Sequence, residues 1–199
     1  KSFADKIKEN LDKFKTEQKD NNKEELEKRL DNAQKELEKN KKLLDELKDL
    51  TNKLQQEELT EKLDKFKKES KNQAKTLEQL VELTKRYYVK EKAEQLFDKL
   101  DKLADKQEEL ANKESENTKD KQDKINAEFD AIKQEFKDLE KQNKELKKPM
   151  DLDNNAEKNQ EIKEDLNKAS ENLQNNKKDN AKKNQKAAAK KMKEMANEM

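Results

Sequence analysis

Apolar residues recur along this chain at alternating steps of four and three. Leu26, Leu30, Ala33, Leu37, Asn40, Leu44 and Leu47 make one run, and Ile125, Phe129, Ile132, Phe136, Leu139, Asn143, Leu146 and Met150 make another. A mean step of 3.5 holds these positions on one narrow stripe of an α-helix, the a and d seam of a coiled coil. Ala188, Met192, Met195 and Met199 continue the rhythm near the end, which reads as core. Asn40 and Asn143 sit inside the seams. Each reads either as a buried polar residue that fixes register or as one more Asn in a chain that uses many.

The rhythm slips between Leu54 and Leu59, around Tyr87 to Val89, and between Leu110 and Ile125. Glu24-Glu25-Leu26 with Leu30, Leu44, Leu47 and Leu50 returns 33 residues later as Glu57-Glu58-Leu59 with Leu63, Leu77, Leu80 and Leu83. A weaker third copy places Ala93, Phe97, Leu100 and Ala104 opposite Leu59, Leu63, Phe66 and Ser70. The tetratricopeptide motif has a similar period but needs Trp, Gly and Pro anchors that these copies lack. Two architectures fit: helices of matched length folded back as an antiparallel bundle, with turns near 20–24, 55–57, 86–89 and 115–118, or stutters within a longer helix.

Glycine is absent and Pro149 is the single proline. Without glycine a chain has few ways into the left-handed conformations of tight turns and helix C-caps, so helix is expected almost throughout. The missing glycine favours continuity at Gln55-Gln56, whereas Asp20-Asn21-Asn22 favours a turn. Proline disfavours helix in the residue before it and removes a backbone donor, which makes Lys148-Pro149 the expected helix break. Asp151, Asp153 and Asn154 then offer N-caps to a last helix. The expected class is all-α, an elongated coiled coil or antiparallel bundle of long helices with no β-sheet. Its parts are a short N-terminal helix over 1–19, heptad-rich helices with the 33-residue repeat over 24–115, a helix over 118–148, and a C-terminal helix over 153–199.

Charged residues make up 49% of the chain and hydrophobic ones 28%, with 49 basic side chains against 48 acidic. So few apolar residues cannot fill a compact enzyme core, and regular leucine spacing with balanced charge argues against disorder. The near-neutral balance and only two arginines, Arg29 and Arg86, argue against a dedicated nucleic-acid or membrane-surface binder. Histidine and cysteine are absent. That removes His-based catalytic pairs, His-containing metal motifs and thiol chemistry, and the lack of glycine removes phosphate-cradling loops. No catalytic residue, cofactor, metal ion or small-molecule substrate is expected.

Three local features bear on partners. Asp151-Leu152-Asp153-Asn154-Asn155 begins like a calcium loop but has Ala156 where that loop needs Gly and Ile162 where it needs Glu, so helix capping is the better account. Residues 151–176 carry seven acidic and three basic side chains, whereas residues 177–193 carry eight lysines and one aspartate. Lys182, Lys183, Lys190 and Lys191 therefore form either a basic face for anionic lipid or nucleic acid or a solvated helix end that complements the macrodipole. Tyr87 and Tyr88 read as a docking patch or, better, as filling for a wider helix crossing.

Ala104-Asp105-Lys106-Gln107-Glu108-Glu109-Leu110-Ala111, Lys147-Lys148-Pro149-Met150-Asp151-Leu152 and Lys186-Ala187-Ala188-Ala189-Lys190-Lys191-Met192-Lys193-Glu194-Met195-Ala196 together resemble segments of an uncharacterised family of large coiled-coil proteins of Bacteroidota, membrane-anchored near the N-terminus. The resemblance implies the envelope-facing part of a membrane-tethered protein. A start at Lys1 fits a fragment, and a cytoplasmic setting is the alternative location. The expected function is a non-enzymatic scaffold that contacts proteins, itself or another coiled coil. The alternative is a module whose basic C-terminal helix engages anionic lipid or nucleic acid.

Overall fold

The computed structural model describes Asp5, residues 22–152 and residues 154–198. The helix expected over 1–19 and the turn at Asp20-Asn21 lie outside the described residues. Six α-helices and no strand occur among the described residues: α1 (Asn22–Gln56), α2 (Leu63–Ser70), α3 (Leu77–Asn112), α4 (Lys119–Lys144), α5 (Ala156–Gln174) and α6 (Lys178–Asn197). They fall into two compact units, residues up to Thr84 and residues from Lys85 onward.

In the first unit α1 does not run on through Gln55-Gln56. Glu58 takes a left-handed φ of 58°. The Leu59 amide donates to the Leu54 carbonyl at 2.8 Å, and the Glu58 amide to the Gln55 carbonyl at 3.2 Å. This is the Schellman ending that normally uses glycine. Leu54 and Leu59 are both buried beside it, so apolar burial compensates the roughly 1–2 kcal/mol that a side chain adds to a left-handed residue. The expectation of continuity here is overturned. The 33-residue echo also divides: Leu26 is exposed within α1, and its counterpart Leu59 is buried in a turn. At the start of α3, Gln79 and Thr76 form a reciprocal capping box. The Gln79 amide donates to Thr76 Oγ1, and the Thr76 amide donates to Gln79 Oε1, each at 3.2 Å.

The second unit is an antiparallel four-helix bundle built from α3 beyond Thr84 and α4, α5 and α6. Cross-helix pairs run in opposite sequence order from α3 to α4, from α4 to α5 and, with Lys158 on Glu198 and Asn172 on Asn184, from α5 to α6. Lys99 meets Glu135 and Lys106 meets Glu128; Asp130 meets Lys163, and Ser170 donates to Asp123. Lys191 meets Glu161 and Asp165, and Lys193 meets Asp105 and Glu108. The α4 seam is buried from Ile125 through Phe129, Ile132, Phe136 and Leu139 to Leu146, each large apolar side chain adding about 1.5–3 kcal/mol. Phe97 and Phe136 pack edge to face, with ring centroids 5.0 Å apart at 63°. Ala188, Met192 and Met195 are buried, as their heptad phase requires.

Four expectations need correction here. No turn forms at 86–89: α3 continues through Tyr87, Tyr88 and Val89, all buried, so the phase slip is absorbed within the helix. The helix expected over 118–148 ends at Lys144, ahead of Pro149, which lies exposed in the following loop. The helix expected over 153–199 is two helices. Asn176 takes φ 56°, the Lys177 amide donates to the Asn172 carbonyl at 2.8 Å and the Asn176 amide to the Leu173 carbonyl at 3.2 Å. This second Schellman ending uses Asn, the residue after Gly that best tolerates the left-handed region. The N-cap of α5 is Asn155, whose side chain accepts from the Lys158 amide at 3.0 Å, rather than Asp151, Asp153 or Asn154.

Candidate interaction surface

The two heptad seams meet opposite fates. On α1, Leu26, Leu37 and Leu44 remain 46%, 45% and 56% exposed. Ala33 and Asn40 are exposed between them, and Leu30 and Leu47 are half-buried. Off the seam, Lys39 pairs with Glu78 at 3.0 Å. Intrahelical pairs Glu24–Lys28 and Glu25–Arg29 support the first turns of α1 at a few tenths of a kcal/mol each. The result is a collinear leucine stripe facing water, roughly 27 Å long from Leu26 to Leu44 at 1.5 Å per residue.

Asn143 behaves differently from Asn40. It is buried, and its amide works as a clamp: Nδ2 donates to the Met150 carbonyl at 2.7 Å, and Oδ1 accepts from the Met150 amide at 2.8 Å. Arg86 donates to the Lys148 carbonyl at 2.6 Å and secures the same loop. Asn143 therefore fixes the loop carrying Pro149 rather than a helix register. Two residues of the calcium-like segment are committed elsewhere too, and Asp153 lies outside the described residues. Asn154 bonds Glu140 and Asn159, and Asn155 caps α5.

Register within the bundle is set by amides that sequence reasoning passed over. Gln107 and Gln122 exchange hydrogen bonds of 3.0 and 2.7 Å. Gln185 donates to Gln122 and Asn117, each at 2.7 Å, and accepts from Asn117 at 2.8 Å. Gln122 reaches Asn126 at 2.9 Å, and Asn126 donates to the Leu166 carbonyl at 3.2 Å. This cluster joins all four helices. Leaving one such buried group without a partner costs about 1–3 kcal/mol, so slipped packings are disfavoured. The signal was heptad phase: Gln122 stands three residues before Ile125, and Gln185 three before Ala188.

The candidate lysines separate. Lys191 is ion-paired with Asp165 at 2.9 Å and Glu161 at 3.2 Å. The Asp165 hydrogen bond outweighs partial burial and raises its pKa above the ordinary value. Lys182, Lys183 and Lys190 are exposed and pair with no carboxylate among the described residues. The acidic and basic halves of the C-terminal region fold on each other as α5 and α6. The two halves meet directly at Lys191, which pairs with Glu161 and Asp165. Tyr87 and Tyr88 are 7% and 4% exposed, so they offer almost no surface to a partner and the docking-patch reading of them falls. A surface groove of about 480 Å³ is lined by Glu108, Lys186, Lys190, Lys193, Glu194 and Asn197. Its charges are of both signs, and the Glu108–Lys193 pair at 3.5 Å joins two of its lining residues.

Comparison with known proteins finds no matching family model, no matching curated protein and no matching solved structure. The family resemblance rests on the three quoted segments alone. Among the described residues no helix is long and apolar enough to cross a membrane.

Proposed function

We propose that this chain is a non-enzymatic helical scaffold that acts through protein–protein contacts, as a region of a larger envelope protein. The observation that carries the reading is the exposed α1 seam. Single exposed leucines are ordinary, but three on one heptad stripe form a continuous apolar surface of the kind that marks an interaction site. Burying each would contribute about 1.5–3 kcal/mol, which α1 leaves unused. The bundle beyond Lys85 keeps its own seams inside and supplies a rigid body. The envelope setting follows from the sequence resemblance only.

A second reading, binding of anionic lipid or nucleic acid by α6, draws on exposed Lys182, Lys183 and Lys190. It is the weaker one, because Lys191 and Lys193 are already matched by carboxylates of α5 and α3. Affinity capture from host lysate separates the two. Protein partners held by the native chain and lost on Leu26→Glu, Leu37→Glu and Leu44→Glu together support the scaffold. Identical capture by both chains contradicts it. Retention on anionic vesicles at about 0.15 M salt, where exposed charges are screened beyond about 8 Å, that depends on the three free lysines would favour the second reading.

A further inference from the structure

We infer that the α1 seam is a self-association surface: it pairs, parallel and in register, with the α1 seam of a second copy of this chain. The inference rests on the scaffold reading and names its partner. The spacing points to another helix, because strict four-three steps follow a neighbour that supercoils with it, whereas a helix lying on a globular surface drifts toward 3.6 and shows a wider stripe. The exposed seam keeps that strict rhythm from Leu26 to Leu44.

The flanks identify the neighbour as the same sequence. With Leu30, Leu37 and Leu44 at a and Leu26, Ala33 and Asn40 at d, the g positions are Arg29, Glu36 and Leu43 and the e positions are Glu27, Gln34 and Lys41. In a parallel pair each g residue faces the e residue five further along the other helix, where opposite charges set partner choice. Glu36 then meets Lys41 of the second copy, twice by symmetry. Arg29 meets Gln34, and no like charges oppose each other. Asn40 meets Asn40 of the second copy, so the one polar side chain in the stripe gains an amide partner. An antiparallel arrangement that keeps a opposite d places it against an a-position leucine instead. Lys39 and its partner Glu78 lie off the seam, so the pairing leaves that bond intact.

Sedimentation of the purified full chain over about 5–500 μM tests this, since dimerisation is mass-action dependent. The mass should rise from 23.6 kDa toward twice that value. Leu37→Glu with Leu44→Glu should weaken association at least about 100-fold, since four buried leucines are lost per dimer. The melting temperature of the dilute chain should not change, because both side chains are exposed in it. The chain has no cysteine, so Leu30→Cys gives a single thiol that should oxidise to a covalent dimer by itself. A monomer at every concentration would overturn the inference, as would association indifferent to the two glutamates. So would faster cross-linking in a mixture of Leu30→Cys and Leu47→Cys chains, the antiparallel signature. A monomeric purified chain whose lysate capture still depends on the seam would refute self-pairing and leave the scaffold reading standing. Loss of seam dependence in both experiments would refute both.

Discussion

Glu135 on α4 receives two ammonium groups from α3, Lys92 at 2.7 Å and Lys99 at 3.2 Å. Burial raises its pKa, but the two lysines outweigh that and hold it below the ordinary carboxylate range. Asp123 is lowered as well, by hydrogen bonds from Lys119 and Ser170. A carboxylate whose folded pKa is depressed stabilises the fold above its ordinary value and loses that contribution as pH falls through the folded value. Acid unfolding followed by circular dichroism should therefore be less steep in Glu135→Gln, at a cost on the order of 1 kcal/mol near neutral pH. An unchanged acid profile would mean the pair contributes nothing. Single residues were also where the sequence was hardest to read. Asn40 and Asn143 each stand inside a four-three seam, yet one faces water and the other clamps Met150. Which occurs depends on whether a loop returns to the seam, and spacing does not encode that.

Helices were legible wherever apolar phase continued, because a 3.5-residue stripe has no other low-energy use: α4 and the Met face of α6 lie where the pattern put them. The endings were not. Glycine, the usual marker of a left-handed C-cap, is missing, and Glu58 and Asn176 take its place. Nothing local distinguishes Asn176 from the other asparagines until α6 folds back on α5 and the two hydrogen bonds of the cap close around it. Replacing Asn176 with Gly removes the side chain from a left-handed site at some entropic cost in the unfolded chain. It should raise stability by up to about 1 kcal/mol, or roughly 4 °C in melting temperature for a unit of this size. A lower melting temperature would show that the Asn side chain is itself needed at the cap.

For the molecule as a whole, charge and apolar surface are used in different ways. The 49 basic and 48 acidic side chains nearly cancel, and much of that balance is struck between neighbouring helices, as Lys191 and Lys193 illustrate. Among the described residues, the large apolar side chains left exposed are those of the α1 stripe. The all-α class and the absence of histidine and cysteine could be read from composition. That one seam would be buried and another left open could not, because both have the same spacing and only folding shows which finds a neighbour.

Amide hydrogen exchange of the full chain at about 2 and about 200 μM tests that division most directly, since protection reports local opening and association stabilises by mass action. The α1 amides from residue 24 to 44 should exchange more slowly at the higher concentration, and this gain should vanish in Leu37→Glu with Leu44→Glu. The amides of α4, α5 and α6 should be equally protected at both. Equal protection of residues 24–44 at the two concentrations would contradict the account, because the seam would then have no partner that concentration supplies.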